Sequence, residues 1–268
     1  MIFNLKPVSI FILLFMSCQS GKLTTVGSID SDLDEASAAQ ICGNPNIVWT
    51  IEDAGNKNNV YGMDFKGNIV RDIDIKNIKN VDWEDLTSDK EGNLYIGDFG
   101  NNSRKRKNFF IYKIENINNV EDETIAKTIQ FTLPDNVKSE DFESFFLLNN
   151  QFYIFTKETK NFKVLKVPNT IGTHVATLVT EYNLKGKNNR ITSAAISEDN
   201  ATVVLLNHDK LWKLSNFKDD HFFEGDIEKI EFNHNSQKEG ICFKDNNTVV
   251  ITDEDSGKED NNIYTLKL

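Results

Sequence analysis

Apolar residues in this chain come in short runs separated by polar turns, and no stretch carries a sustained helical period of 3.6 residues. Short runs rich in Val, Ile, Phe and Tyr are typical of β-strands. From residue 33 onward the runs form five similar units, which begin at Leu33, Val81, Glu140, Arg190 and Gln237. In each unit an inner strand is followed by a second run, at 47–51, 94–96, 152–155, 203–206 and 249–251. The third runs lie at 60–63, 110–113, 164–167, 211–214 and 263–266.

The spacing within these units is nearly constant. In four units the start of the first strand and the end of the second lie 14 positions apart, and in the first unit, from Glu35 to Asp53, they lie 18 apart. The four pairs are Glu84 and Asp98, Glu143 and Lys157, Ser193 and Asn207, and Glu239 and Asp253. Units of 46 to 59 residues with three or four short strands are typical of propeller blades. The sequence therefore predicts an all-β fold, a five-bladed β-propeller, with six blades as the alternative.

The two ends of the chain indicate how the ring closes. The last unit stops at Leu268 directly after its third strand, so its outer strand is missing. Residues 23–29 have β-strand character and precede the first unit. We therefore expect residues 23–29 to pair with residues 262–268, which would cover an open sheet edge and make residues 19–268 a single propeller domain.

The first 18 residues have the pattern of an export signal. Lys6 provides a positive start, and residues 7–16 form an apolar run too short to span a bilayer. The sequence Phe-Met-Ser-Cys at 15–18 resembles a bacterial lipoprotein box. Residues 1–18 are predicted to be a lipoprotein signal peptide, with Cys18 as the lipidated residue; cleavage nearby without a lipid is the alternative. The expected location is the periplasm or the cell surface, with the membrane contacted through the lipid.

The acidic balance of the chain limits its partners. It has 30 Lys and Arg residues against 41 Asp and Glu residues, a formal net charge of −11 at pH 7. Nucleic-acid binding depends on clustered Lys and Arg against phosphates, so no nucleic-acid partner is expected. The expected ligand is an unknown protein or small molecule.

The second unit carries the most distinctive motifs, D-W-E-D at 82–85, G-N-L-Y at 92–95 and G-D-F-G-N-N at 97–102. Together with W-T-I-E-D-A-G-N at 49–56, they resemble a group of exported bacterial β-propeller proteins of mostly unassigned function. The resemblance extends over all five units and is weakest in the fourth. More remotely, the chain is similar to propellers of the strictosidine synthase and gluconolactonase type, which usually have six blades, hold calcium in the channel and include esterases. The resemblance implies the fold and does not by itself assign an activity.

The repeat places charged residues at two equivalent points of several units. One point is the start of the inner strand, and the other is the end of the second strand. The candidate site residues are Glu35, Glu84, Glu143, Glu239, Asp53, Asp98, Lys157 and Asp253. Because inner strands surround the channel of a propeller, we expect these side chains to converge near one mouth of it.

Converging carboxylates repel one another unless a cation, a proton or backbone donors compensate them. Ca²⁺ accepts six to eight oxygen ligands with loose geometry, so a calcium site is one interpretation. The candidate calcium ligands are Glu84, Asp98, Glu239 and Asp253. In the alternative interpretation, the repeated acids bond backbone donors and tie the blades together. Lys157 either binds an anionic group or offsets a neighbouring glutamate.

Two classes of function fit these features. A non-enzymatic binding or scaffold lipoprotein that uses the channel mouth or the rim loops needs only the fold and the anchor, and it is favoured. The alternative is a hydrolase, either a calcium-dependent esterase or phosphatase or a glycosidase with Glu84, Glu143 and Glu239 as its carboxylate set. Carboxyl separations of about 5–5.5 Å or 6.5–9.5 Å would indicate retaining or inverting glycosidase geometry. No catalytic residue is assigned.

Replacing Cys18 with Ala is expected to move the protein from the membrane fraction to the soluble fraction, because the lipid on this residue is the predicted anchor. Cell fractionation followed by immunoblotting measures the change. The control is Ser20→Ala, which leaves the lipidation residue intact and should stay with the membrane. Membrane retention of Cys18→Ala at the wild-type level would show that the anchor prediction is wrong.

Overall fold

The computed structural model describes residues 23–33, 35–254 and 261–268. Within these ranges the chain forms 22 β-strands and one short 3₁₀ turn at Ile117–Asn119, and none of its helices is long and apolar enough to cross a bilayer. The predicted apolar runs form strands because their β-branched and aromatic residues fit a packed sheet, while Asn, Asp and Gly form the turns between them. Cys18 and the rest of the predicted signal peptide lie outside the described residues.

The strands form five largely antiparallel sheets, here called blades 1 to 5. Each blade begins with an inner strand and continues outward along the chain. From the centre outward, the first three strands of the successive blades are β2 (Ala36–Ile41), β3 (Val48–Glu52) and β4 (Asn59–Met63); β6 (Trp83–Ser88), β7 (Leu94–Asp98) and β8 (Phe109–Ile114); β11 (Phe142–Leu148), β12 (Gln151–Thr156) and β13 (Phe162–Pro168); β16 (Ser193–Ile196), β17 (Thr202–Leu206) and β18 (Lys210–Ser215); and β20 (Lys238–Asp245), β21 (Thr248–Asp253) and β22 (Asn262–Lys267). The fourth strands are β5 (Ile69–Ile75), β10 (Lys127–Thr132), β15 (Thr177–Tyr182), β19 (Asp226–Glu231) and β1 (Thr24–Ser28). Two short strands, β9 (Glu123–Thr124) and β14 (Gly172–Val175), add parallel edges to blades 1 and 2.

The N-terminal strand β1 closes the ring. It pairs antiparallel with β22, so that Thr24 lies opposite Thr265 and Ser28 lies opposite Asn262. The inner strands contact one another in a closed circle, in the order β2, β6, β11, β16 and β20. The predicted five-bladed propeller is therefore confirmed, including its closure by the N-terminal strand, and the six-bladed alternative is wrong.

The hydrophobic core is divided into five clusters, one between each pair of neighbouring blades. Trp49 of blade 1 and Trp83 of blade 2 are fully buried in the same cluster, so both indoles pack between blades. Between blades 2 and 3, the rings of Phe99 and Phe145 meet edge to face with centroids 5.2 Å apart. Each blade buries both of its faces against its neighbours. This explains why apolar residues are consecutive along the strands and do not alternate with polar ones.

A β-bulge interrupts the pairing of the first two strands in blades 2, 3 and 5. The residues that the ladder skips are Glu84, Glu143 and Glu239. Aligned by their ladders, blades 1 and 4 place Ser37 and Thr192 at the corresponding positions. The sequence alignment put Glu35 and Ser193 there. Glu35 lies two residues before the ladder position of blade 1, and Ser193 lies one residue after that of blade 4. The cause is that hairpin length and bulge position vary between blades, whereas sequence spacing alone assumes that they do not.

Asp85, which follows the bulge of blade 2, ties four blades together. Its fully buried carboxylate accepts hydrogen bonds from the backbone N–H of Phe145 in blade 3 at 3.1 Å, and from Ser193 Oγ and the N–H of Ala194 in blade 4 at 3.0 and 3.3 Å. A fourth bond comes from the next residue of its own strand. Ser193 Oγ in turn accepts a bond from the N–H of Ile241 in blade 5 at 3.2 Å. Burial raises the pKa of Asp85 well above its ordinary value, and these donors oppose that shift.

Replacing Asp85 with Ala is expected to lower the free energy of unfolding by about 3 kcal/mol or more, because each buried donor left without an acceptor costs roughly 1–3 kcal/mol. Urea denaturation measures the change. Asp135→Ala is the control, since Asp135 is exposed and its replacement should change the free energy of unfolding by less than about 0.5 kcal/mol. Equal stability of Asp85→Ala and the wild type would contradict a central role for this carboxylate.

Candidate functional site

Two rings of residues surround the mouth of the channel at which the inner strands begin. The inner ring consists of the bulge residues Glu84, Glu143 and Glu239 and of the residues at the same ladder position in blades 1 and 4, Ser37 and Thr192. The outer ring follows the second strands and consists of Asp53, Gly100, Lys157, His208 and Glu254. In four blades the backbone N–H of the outer-ring residue donates to the carbonyl two residues before the inner-ring residue. This repeated bond holds the two rings against each other, and together they form what we call the acidic mouth.

Two of the three inner-ring glutamates face a basic side chain of the outer ring. Lys157 Nζ lies 2.6 Å from Glu143 Oε1 within blade 3. His208 Nε2 of blade 4 lies 3.2 Å from Glu239 Oε1 of blade 5. Both carboxylates are nearly buried, so the ammonium group of Lys157 and the hydrogen bond to the imidazole of His208 compensate for part of their lost hydration.

Glu84 has no such partner, because the outer ring of blade 2 has a glycine at this point. A Cβ atom added to Gly100 would lie 1.9 Å from Glu84 Oε1. Glycine therefore leaves room for the carboxyl group and provides no countercharge. Within the described ranges, no Lys, Arg or His side chain lies within ion-pair distance of Glu84.

Glu84 and Glu143 share a hydrogen bond across the junction of blades 2 and 3. Burial raises the pKa of Glu84 well above its ordinary value, the charges of Glu143 and Asp53 raise it further, and the charge of Lys157 opposes the shift. Burial also raises the pKa of Glu143, but the ammonium group of Lys157 stabilises its carboxylate. The two carboxyl groups therefore bind a proton more readily than isolated ones, and Lys157 favours the ionised form of Glu143.

Asp53 and Asp82 form a group of three carboxyl groups with Glu84. One oxygen atom from each of the three lies within 4.8 Å of the other two. Burial and the charge of Asp53 raise the pKa of Asp82 to about 6, while Arg106 opposes the shift. Burial also raises the pKa of Asp53, although the backbone N–H of Ala54 donates to its carboxylate. Three carboxyl oxygens at this separation suit a hard cation.

Six of the eight residues predicted from the repeat lie at the acidic mouth. They are Glu35, Glu84, Glu143, Glu239, Asp53 and Lys157. Glu35 is exposed at its edge, where Asn56 Nδ2 donates to its carboxylate at 2.7 Å. The other two, Asp98 and Asp253, are fully buried within blades 2 and 5. The structure therefore does not bring the four predicted calcium ligands together as one group.

Asp98 and Asp253 take part in a contact that recurs in three blades. A tyrosine of the third strand donates its hydroxyl to an acid at the end of the second strand. The pairs are Tyr61 and Glu52 at 2.9 Å, Tyr112 and Asp98 at 3.1 Å, and Tyr264 and Asp253 at 2.8 Å. Arg106 adds an ion pair to Asp98 at 2.8 Å. These acids hold strands of their own blade together through side-chain donors, whereas the alternative interpretation expected backbone donors that tie neighbouring blades.

Titratable residues at the acidic mouth that were not among the sequence candidates include Asp82, His208 and Glu254. Asp82 begins the D-W-E-D motif, so its position two residues before Glu84 was a usable signal. His208 and Glu254 come one residue after the positions that the 14-residue spacing selects. Burial and neighbouring carboxylates raise the pKa of Glu254 to about 7.

No protein-family model matches the chain, and no curated protein is significantly similar to it. The resemblance to exported bacterial propeller proteins therefore stays a prediction. The function of the acidic mouth has to be inferred from its own geometry and charge.

The raised pKa values predict that protonation of the acidic mouth stabilises the fold. A carboxyl group whose pKa is higher in the folded than in the unfolded state binds more protons when folded. Its contribution to stability is fully present below the unfolded value and is lost as the pH rises through the folded value. For Asp82 and Glu254 the loss runs from the ordinary values of 3.8 and 4.5 up through about 6 and 7.

In the presence of EDTA, the free energy of unfolding of the wild type is expected to fall between pH 5 and pH 8 more steeply than that of Glu84→Gln. The variant lacks one group that binds a proton in the folded state, and one proton of difference corresponds to about 1.4 kcal/mol per pH unit. Urea denaturation across this range measures both slopes. Glu181→Gln, on the exposed side of β15, is the control and should keep the wild-type slope. A wild-type slope in Glu84→Gln would contradict the raised pKa of Glu84.

Proposed function

We propose that this protein is an exported, lipid-anchored binding protein whose acidic mouth binds a cationic ligand, with Ca²⁺ as the first candidate. The five-bladed fold and the convergence of carboxyl groups at one mouth support the binding role. The pattern of the first 18 residues supports export and lipid attachment at Cys18. The anchor is a proposal from sequence alone, because residues 1–22 lie outside the described ranges.

The observation that carries this proposal is that Glu84 is buried with no basic side chain at ion-pair distance in the described part of the chain. It is only 6% exposed, whereas its equivalents in blades 3 and 5 each face a basic side chain. A buried carboxyl group without a cation either keeps its proton or takes up a cation from outside. Asp53 and Asp82 offer oxygen atoms to the same point. A bound cation would therefore exchange with the proton of Glu84.

Ca²⁺ fits this group better than Zn²⁺ does. Calcium takes six to eight oxygen ligands in flexible geometry, so three carboxyl groups supplemented by water suit it. Zinc in proteins is bound mainly by Cys and His, and His208 already contacts Glu239. An organic ammonium group carries the same sign of charge, and the experiment below separates it from the metal ion.

A calcium-dependent hydrolase is the second candidate, and the close pair of carboxyl groups of Glu84 and Glu143, both with raised pKa values, favours it. Such a pair offers an acid and a base near neutral pH. Their direct hydrogen bond leaves no place for the water that an inverting glycosidase holds between carboxyl groups about 6.5–9.5 Å apart. Ester or phosphoester hydrolysis is the form of this candidate that the pair supports. Calcium-dependent turnover of 4-nitrophenyl acetate or 4-nitrophenyl phosphate would favour it over binding alone.

Millimolar Ca²⁺ is expected to raise the Tm of EDTA-treated wild-type protein at pH 7, and to raise the Tm of Asp82→Asn and Glu84→Gln much less. A ligand that binds only the folded state stabilises it by about 2.7 kcal/mol at 100 times its Kd. Differential scanning fluorimetry measures the shift, and isothermal titration calorimetry measures the stoichiometry, which should be one ion per chain. Parallel arms with Mg²⁺ and with cadaverine test the size and the chemistry of the cation.

The matched control is Asp135→Asn, which removes a carboxylate from an exposed loop and should keep the full calcium shift. A shift with cadaverine and none with Ca²⁺ would assign the mouth to an organic cation. Absence of a shift with every cation, or a full calcium shift in both Asp82→Asn and Glu84→Gln, would contradict the proposed function.

A further inference from the structure

A second concavity opens at the other mouth of the channel, where the inner strands end. It has a volume of about 670 Å³, within the range of roughly 300–1,000 Å³ that is usual for small-molecule pockets. All five blades contribute to its wall, through Ile41, Thr87, Leu147, Ile196 and Phe243, among others. We call it the distal cavity.

A layer of buried side chains separates the distal cavity from the acidic mouth. Asp85, Ser144 and Ser193 are fully buried at the middle of the inner strands, and Ser193 Oγ donates to Asp85 at 3.0 Å. A ligand in the distal cavity therefore does not touch the carboxyl groups of the acidic mouth. The inference below does not depend on the function proposed for that mouth.

Most of the polar side chains that line the distal cavity are uncharged amides and hydroxyls. They include Gln40, Thr87, Ser88, Asn149, Asn150 and Asn169. Side chains of these types both donate and accept hydrogen bonds. Between them lie the apolar side chains of Leu147 and Ile196, each partly exposed. The wall therefore combines neutral hydrogen-bonding groups with apolar surface.

The charged residues of the cavity wall do not require a charged ligand. Asp89 is already satisfied within blade 2, where Asn93 Nδ2 and the hydroxyl of Tyr95 each donate to Oδ2 at 2.7 Å. The remaining charges belong to exposed residues of both signs, namely Lys90, Glu91, Glu198 and Lys244. Side chains in contact with water keep most of their hydration, so they give little affinity for an ion.

Thr87 provides an independent indication that the cavity takes a hydrogen-bonding ligand. It lies two residues after Asp85, on the same face of β6, and lines the cavity while being only 6% exposed. Its hydroxyl makes no hydrogen bond to any side chain or backbone group in the described part of the chain. The hydroxyl oxygen keeps contact with the cavity, so a ligand hydroxyl can bond it in place of water.

We propose that the distal cavity binds a neutral carbohydrate. Sugar hydroxyls both donate and accept, which matches the amides and hydroxyls of the wall, and the apolar face of a sugar ring packs against side chains such as Phe243 and Leu147. A charged ligand would lose hydration without meeting a buried opposite charge. A purely apolar ligand would leave the hydroxyl of Thr87 and the amides unpaired.

The test titrates the purified, detergent-solubilised protein with a panel of neutral sugars: glucose, galactose, N-acetylglucosamine, maltose and cellobiose. Isothermal titration calorimetry is expected to show one bound sugar per chain for at least one member. Thr87→Val keeps the shape of the side chain and removes its hydroxyl, so the affinity for that sugar should fall about tenfold. Asn150→Gly removes an amide while tolerating the positive φ of 60° at this position, and the affinity should fall several-fold.

Two controls separate a specific site from a general effect of substitution. Thr180→Val makes the same chemical change on the outer strand β15, and Glu84→Gln alters the acidic mouth; both should keep the wild-type affinity. The proposal is overturned if no sugar of the panel binds, or if Thr87→Val and Asn150→Gly both bind like the wild type. Binding of glucose 6-phosphate or glucuronate in place of every neutral sugar would also overturn it, because a charged ligand would then be preferred.

Discussion

The fold depends on a single carboxylate at its centre. In a propeller each blade packs only against its two neighbours, so nothing in the inter-blade clusters fixes the inner strands relative to one another across the channel. Asp85 does this by accepting bonds from blades 3 and 4, and Ser193 extends the contact to blade 5. Burial of the carboxylate is unfavourable by itself, and it is tolerated because four donors converge on it. The strand β1 then closes the ring from outside by covering the edge of β22.

This central layer divides the channel into two mouths of different character. The β-bulges push three glutamates into the mouth at the start of the inner strands, and nearby outer-ring residues decide how each of them is compensated. Lys157 and His208 contact two of them, while Gly100 leaves the third without a basic neighbour in its own blade. The other mouth is lined by amides, hydroxyls and apolar groups. The residues that could bind a ligand therefore lie where the blades differ, because the features that the blades share stabilise the fold.

The 14-residue spacing was sufficient to find the blades but not to align their side chains. The hairpin between β11 and β12 has two residues and that between β6 and β7 has five, so the ladder makes Thr156, and not Lys157, the equivalent of Asp98. A spacing count cannot register such an offset, because it does not distinguish residues of the hairpin loop from residues of the paired strands. Lys157 was nevertheless selected for its charge, and it does lie at the acidic mouth beside Glu143.

By itself, the sequence determined the number of blades, the closing strand and the mouth at which Glu84, Glu143 and Glu239 meet, because these follow from strand periodicity and chain order. Only the tertiary structure decided the role of each acid. Asp98 and Asp253 resemble Glu84 in sequence, but tyrosines of the adjacent strands donate hydrogen bonds to them, whereas Glu84 faces a glycine. Likewise, nothing in the D-W-E-D motif distinguishes the central Asp85 from Asp82 at the rim. The distinction depends on contacts between residues far apart in the chain. Because these groups are buried, the presence or absence of a partner strongly affects whether each of them is ionised.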